Sequence, residues 1–291
     1  MFQADGHITN NWLSQAMYRY FDRYREDFYY SFVAFQPRNR SLLDAEVYFA
    51  PFDDYFDAVA TPLRALHHTI LNTGSVGAYD RSDIFEFTNA LIERYKFSWV
   101  VEDVGIWSIE GKTLPYPLAP ILTPDGLDAC VRNVNQCQKN LAVPLCIEFP
   151  GFSLGSSIVL GNMDMFSYFA ELARRTASPV TLDVGHLLGW QWVTGRWPER
   201  ILEGFEQLPL ENCFEIHLSG CEMRPKGFCD MHHGVLINEQ LIALEWLLEH
   251  CPNLKCVTYE DPAFERDGNL VTAAVCNYQR LKTMLQEWSA R

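Results

Sequence analysis

The sequence predicts an α/β fold, a (β/α)8 TIM barrel, with residues 1–291 forming a single catalytic domain. Three observations point there. Segments that read as strand and segments that read as helix alternate eight times along the chain. No linker-like composition shift, short-period repeat or low-complexity stretch divides it. One strand after another ends in His, Asp or Glu, and strand C-termini are where such a barrel gathers its chemistry. A doubly wound open sheet is the alternative. It would carry a Gly-rich first turn, and the first turn here has none.

The elements follow from periodicity and punctuation. Gln3–Ile8 reads as a short strand, and Trp12–Arg25 as a helix with Asn10 or Asn11 as its cap. Phe28–Phe35 is aromatic and β-branched and closes at Pro37, so it is a strand. A loop and a helix around Asp53–Ala60 lead to an apolar run, Leu63–His67. The helix Ile84–Tyr95 precedes a strand at Ser98–Asp103. Gly105–Pro124 is rich in Gly and Pro and reads as a long loop. The helix Asp125–Leu141, the strand Pro144–Phe149, the loop Gly151–Asn162, the helix Met163–Thr176 and the strand Pro179–Val184 follow. The helix Pro198–Gln207 leads to the strand Cys213–Leu218, and a loop with Gly220, Pro225 and Gly227 comes next. The helix Glu239–His250, the strand Lys255–Glu260 and the helix Leu270–Trp288 close the chain.

The composition is that of a globular protein, with 48% hydrophobic and 21% charged residues. A formal net charge of −14 excludes nucleic acid and anionic membranes as expected partners, because both need a basic face. The start, MFQADGHITNN, lacks the cationic and apolar regions of a signal peptide, and no apolar run approaches membrane-spanning length. Nine cysteines form no C-x-x-C pair, which suits reduced thiols and a cytoplasmic location.

The richest stretch is Cys213–Gly234, CFEIHLSGCEMRPKGFCDMHHG. It carries His217, Asp230, His232 and His233, in a chain with eight histidines. Neutral imidazoles and a carboxylate at one strand end suit a divalent first-row metal. The strand ends extend the pattern: His67, Asp103, Glu148, Asp183, His217 and Glu260 come from six consecutive strands. A single strand-end acid is usually a helix cap. Six in succession are hard to produce by capping alone, and the packed carboxylates among them would repel one another without cations, so the set predicts a multinuclear metal site. His186, three residues after Asp183 in LDVGH, can share its metal once Gly185 turns the chain. His7, His68, His233 and His250 read as structural or solvated. Trp107, Trp190, Trp192 and Trp197 could line a cleft or simply pack loops onto the rim, and Cys221 and Cys229 read as buried small side chains.

Taken together, LHHTILNTGS, VVEDVGIWS, CIEFPGFS, LDVGH, EIHLSG, DMHHG and TYEDP resemble the multinuclear non-haem iron-dependent oxidative enzymes across nearly the whole chain. The resemblance implies a TIM barrel holding two or three Fe(II)/Fe(III) ions, with O2 as co-substrate. Its ligands fall on His67, Glu148, Asp183, His217, Asp230, His232 and Glu260. It also implies oxidation of a cysteine in a ribosomal or carrier peptide, by oxazolone or thioamide formation or by excision of the cysteine β-carbon. A small partner protein that recognises the leader peptide would accompany it, as a heterodimer. The chain departs from the family pattern twice. Asp103 stands where the family has a histidine, and His186 stands where it commonly has an asparagine. Both are expected to ligate metal and, as catalytic residues, to bear on the outcome; β-carbon loss as formate is the expected reaction.

Two other classes compete. A divalent-metal sugar isomerase, epimerase or phosphodiester hydrolase would gather the same residues on the same barrel, but would want a Lys or Arg poised for sugar or phosphate. Between the fourth and sixth strands the lysines are Lys112 and Lys139, neither at a strand end. A scaffold with a degenerate site would lack ligands, and Asp103 alone could count as a loss.

Overall fold

The computed structural model describes residues 8–10, 64–110, 112–152, 158–225, 227–232, 235–260 and 271–289. Within them lie eleven strands. Seven build one parallel sheet: β1 (Ile8–Asn10), β2 (Ala65–His67), β3 (Trp99–Asp103), β6 (Leu145–Glu148), β7 (Val180–Asp183), β8 (Cys213–Leu218) and β11 (Cys256–Tyr259). Their order is β1-β11-β8-β7-β6-β3-β2, so neighbours in the sheet follow the order of the chain. The remaining four form two antiparallel hairpins, β4 (Ile106–Ile109) with β5 (Lys112–Leu118) and β9 (Gly220–Arg224) with β10 (Gly227–His232).

The sheet curls. Five strand-to-strand steps separate β11 from β2, which in a flat sheet is roughly 24 Å. Yet His67 Nε2, at the end of β2, lies 3.8 Å from Glu260 Oε1, just past β11. A curled parallel sheet with helices between successive strands is a TIM-barrel-like α/β fold. The expected strand Phe28–Phe35, the helix Trp12–Arg25 and the helix around Asp53–Ala60 lie outside the described residues.

The helices are α1 (Ser82–Tyr95), α2 (Pro124–Asn140), α3 (Met165–Thr176), α4 (Val184–Val193), α5 (Asn238–His250) and α6 (Thr272–Ser289). Local chemistry sets their ends. Thr123 accepts a hydrogen bond from the Gly126 N–H and Pro124 opens α2. Asp164 caps α3 by accepting from the Phe166 and Ser167 N–H groups, with Arg174 and Arg175 in the last turn. Buried faces of these helices cover the outside of the sheet, where Phe149 meets Phe166 and Phe169 at ring-centroid distances of 5.5 and 5.4 Å. None of the described helices is long and apolar enough to cross a membrane.

Three sequence expectations are corrected. The stretch Gly105–Pro124 is not a plain loop but contains the β4–β5 hairpin, which turns through Glu110 at φ 50°. Pro115 and Pro117 disguise it; a hairpin with little ladder to lose tolerates them. The loop expected after His217 is the β9–β10 hairpin, whose register slips by one residue between Asp230 and His232. The helix expected at Pro198–Gln207 is a run of turns ending in one 3-10 turn, Phe205–Gln207; α4 takes the helical place instead, directly off β7. Its sequence, VGHLLGWQWV, is buried through Gln191, so it lacks the amphipathic period that announces a surface helix.

Candidate metal centre

Alternation along each strand turns every second residue into the barrel. On β3 these are Trp99, Val101 and Asp103; on β6, Cys146 and Glu148; on β7, Thr181 and Asp183; on β8, Glu215 and His217. The last residue in each series stands at the mouth. Glu148 and Asp183 have no exposed surface, and His217, Glu260, Asp103 and His186 are buried.

The contacts converge. Glu148 bridges two histidines, with Oε2 2.8 Å from His67 Nε2 and Oε1 3.2 Å from His217 Nδ1. His217 Nδ1 is also 3.7 Å from Glu260 Oε2. His186 Nδ1 donates to the Phe149 carbonyl at 2.7 Å, which leaves Nε2 facing Asp230 Oδ2 at 3.3 Å. Ser219 holds the other Asp230 oxygen at 2.7 Å. Asp183 combines two roles: Oδ1 caps α4 through the His186 N–H at 2.8 Å, while buried Oδ2 has no hydrogen-bond partner.

Ligand atoms fall within 4.8 Å of one another in four overlapping groups: His67 with His217 and Glu260; Glu148 with Asp183, His217 and Glu260; His67 with Asp103 and Glu148; Asp183 with His186 and Asp230. Sharing of Glu148, Asp183 and His217 between groups is what a multinuclear centre requires. Asp103 Oδ1 is also buried without a hydrogen-bond partner. It lies 3.4 Å from His186 Nδ1, but that N–H is committed to Phe149, so the contact is charge without a bond. Five carboxylates face three imidazoles, an excess of buried negative charge that cations would neutralise.

The titration behaviour has the same cause. Burial pushes Asp103 up to about 6, with Glu148 adding to it. Burial pushes Asp183 up to about 7 against the pull of His186. Burial would lower His67, but Glu148 and Glu260 raise it to about 9. His217 and His186 are raised well above the ordinary imidazole range, because neighbouring carboxylates outweigh desolvation. Glu148 falls well below the carboxylate range despite its burial, held down by His217 and His67.

Of the residues singled out from sequence, His67, Asp103, Glu148, Asp183, His186, His217, Asp230 and Glu260 come together. His232 ends β10, its backbone opposite Gly220 at the mouth, and its side chain lies outside the described residues, as do His7 and His233. His68 is buried and points away, with Nε2 2.9 Å from Thr88 Oγ1 on α1. Gly185 sits in the first turn of α4 rather than in a loop; a Cβ there would come within 3.0 Å of Asp183 Oδ1. Gly151 keeps similar room, since its Cβ would meet His186 Nε2 at 3.0 Å. Trp190 packs against Phe152 and Trp197 against Phe228 as tilted rings, with centroids 4.9 and 5.6 Å apart, so these rings pack the rim. Cys221 and Cys229 are buried free thiols, and burial holds Cys221 well above the thiol range.

Glu215 was missed from sequence. It lies inside the barrel and touches His217; the signal was there in E-x-H on a strand, because residues two apart share a face.

Residues 45–282 match the family described as "RiPP precursor modification enzyme MbnB/TglH/ChrH". The chain belongs to this family. It is therefore one of the multinuclear non-haem iron-dependent oxidative enzymes, which act on precursors of ribosomally made peptides. No curated protein matches the chain. Among solved structures it is similar to a xylose isomerase domain protein from Alicyclobacillus acidocaldarius subsp. acidocaldarius, at 15% identity over 84% of this chain and 82% of that one, with a TM-score of 0.49. A second is D-psicose 3-epimerase from Clostridium cellulolyticum H10, at 12% identity over 82% and 81%, with a TM-score of 0.47. A third is mannonate dehydratase from Streptococcus suis serotype 2, at 12% identity over 78% and 77%, with a TM-score of 0.44. At these values the likenesses decide nothing about chemistry, and the fold above rests on strand order and register.

Proposed function

We propose that residues 1–291 form one catalytic domain that oxidises a cysteine of a peptide precursor with O2, using two or three iron ions. His67, Asp103, Glu148, Asp183, His186, His217, Asp230, His232 and Glu260 would hold the ions. The observation that carries this reading is the overlap of four ligand groups at the barrel mouth, with buried oxygens of Asp103 and Asp183 left unpartnered. Iron bound there would take up the substrate thiolate and supply electrons to dioxygen.

The chain's own residues prepare that chemistry. The Phe149 carbonyl fixes the His186 tautomer and presents Nε2 to Asp183 and Asp230. Ser219 orients Asp230. Asp103, an acid where the family has a histidine, adds an anionic oxygen donor, and such donors favour the more oxidised metal. His186, in place of an amide, adds a firmer neutral donor. On these two substitutions rests the choice of β-carbon excision, as in the 3-thiaglutamate branch of the family, over oxazolone or thioamide formation. The excision balances on its own: removal of CH2 with both atoms of O2 gives formic acid, and no further reductant is needed. A small leader-binding protein would deliver the peptide, as a heterodimer partner.

The test incubates anaerobically iron-loaded protein and its partner with a cysteine peptide and O2. Loss of one CH2 with formate supports excision. Loss of four hydrogens with the carbon count unchanged supports the oxazolone reaction. Inertness toward every thiol peptide, with turnover of a sugar phosphate, would overturn the reading.

A further inference from the structure

Below the mouth, Glu215 is buried in the barrel interior and accepts from three sides. Trp99 Nε1 donates to Oε2 at 2.7 Å, the Thr258 hydroxyl donates to Oε1, and His217 Nε2 lies 3.1 Å from Oε1. The three partners come from β3, β11 and β8, so the carboxylate ties together three strands across the barrel. The register of β8 produces this. Between Val180↔Cys213 and Thr181↔Glu215 the strand takes one extra residue, Phe214, and this brings Glu215 level with Thr181 and Cys256 on the inner face.

A carboxylate only accepts, so the His217 nitrogen facing it must carry the hydrogen. Nδ1 also faces carboxylates, Glu148 at 3.2 Å and Glu260 at 3.7 Å, so without metal the ring carries both hydrogens. The one on Nδ1, inside the group formed by Glu148, Asp183 and Glu260, is the one a metal ion would displace, while Glu215 keeps the other on Nε2. We infer that Glu215 is the positioning residue of the metal centre: by accepting from Nε2–H it selects the His217 tautomer that ligates through Nδ1 and locks the ring in that orientation. A carboxylate behind a ligating histidine also makes the ring a stronger donor. This rests on the metal-centre reading above.

Trp99 and Thr258 hold the carboxylate rather than the ring. With their donors in place, Glu215 cannot rotate away from Nε2 without breaking two buried hydrogen bonds. Glu215→Gln is the informative change, since it keeps the shape and reverses the logic. If its amide NH2 faces His217, Nε2 must become the acceptor and Nδ1 takes the hydrogen, which removes the ligand. If its oxygen faces His217, the NH2 meets the Trp99 N–H, donor against donor.

The full chain is loaded with Zn(II), and affinity and ions per chain are measured for the wild type and for Glu215→Gln, Thr258→Val and Trp99→Phe. Glu215→Gln is expected to weaken binding of one ion about 10- to 100-fold. The other two variants should lower the melting temperature but leave that affinity close to wild type. An unchanged affinity in a folded Glu215→Gln protein overturns the inference, and so does an equal loss in all three variants, which would mean general loosening. Long-range 1H–15N correlation of the Zn(II)-loaded wild type decides the matter if Glu215→Gln does not fold. Nε2 protonated with Nδ1 on the metal supports the inference; the reverse tautomer sinks it. A wild type that binds no divalent ion at a stoichiometric level brings down the metal-centre reading itself, and the inference with it.

Discussion

Two layers of one barrel interior hold buried carboxylates and treat them in opposite ways. At the mouth, Asp103 and Asp183 are pushed up to about 6 and about 7, burial being the first cause of each. Two residues down the strands, Glu215 is as deeply buried and yet its pKa is lowered from the ordinary carboxylate value. Desolvation opposes the charged form in both layers. What differs is the company. Glu215 has His217, Thr258 and Trp99, all donors supplied by the protein. Asp103 and Asp183 each keep a buried oxygen that no protein donor reaches. The first arrangement is complete as it stands. The second leaves buried oxygens that a cation would satisfy, and burial alone would not have told the two apart.

The sharpest way to break this comparison is Asp183→Asn. The amide oxygen can still cap α4, so the barrel should fold, whereas the charge at the shared position is gone. At least one metal ion per chain should be lost, and turnover should fall by more than the about 10–100-fold that losing an outer partner of a ligand costs. Full metal content by elemental analysis would show that Asp183 is only a cap. Next in size, chelation should destabilise the whole chain. An ion present at about a hundredfold its dissociation constant adds about 2.7 kcal/mol, or about 5–10 °C in melting temperature, and this should vanish in the metal-free protein. A melting curve indifferent to chelator would contradict it.

Much of the mouth was legible in the sequence, and the reason is geometric. Asp103, Glu148 and Asp183 each close a strand and His217 is the last but one of its own; the strand period of two fixes which side they face, and the strand order then makes them neighbours. Glu260 stands just past β11, and Asp230 arrives on β10. The lower layer was less legible. Glu215 reads as one more polar residue between Phe214 and Ile216, until a one-residue slip in β8 sets it opposite Thr181. Hairpin β4–β5 was hidden by its prolines, and α4 by burial on nearly every side. The hairpin and the helix depend on tertiary surroundings that a local pattern does not encode; for Glu215 the E-x-H spacing gives the face, and only the strand register gives its partners.

The pH dependence of metal binding separates the layers further. Below about 6 to 7 Asp103 and Asp183 hold protons, and His67 does so up to about 9. Metal must displace these protons, so affinity should rise as pH is raised from 6 to 9, with protons released on binding. Glu215, already ionised, should contribute nothing to that slope. Titration calorimetry in buffers of different ionisation enthalpy counts the protons; an affinity flat across this range would mean that the mouth carboxylates do not bind the ion.

The smallest effect on the centre should come from the nearest neighbour of a candidate ligand. His68 follows His67, but alternation turns it outward, where Nε2 meets Thr88 Oγ1 at 2.9 Å. Thr88 spends its own hydrogen on the Ile84 carbonyl at 2.7 Å, so His68 must be the donor, through a neutral Nε2–H ring. Burial, with His67 beside it, lowers its pKa from 6.5 to about 3. His68→Ala should therefore leave the metal count and the affinity unchanged while costing about 1–3 kcal/mol of stability at neutral pH. The sign of its pH dependence follows from linkage. The unfolded chain takes up a proton at His68 below about 6.5, whereas the folded chain resists until about 3, so wild type loses this contribution progressively as pH falls across that window. The stability gap between wild type and variant should be widest near neutrality and should close toward pH 3, as chemical denaturation at several pH values would show. A variant that loses metal instead would mean that the wall behind His67, and not only the face it presents, is part of the centre.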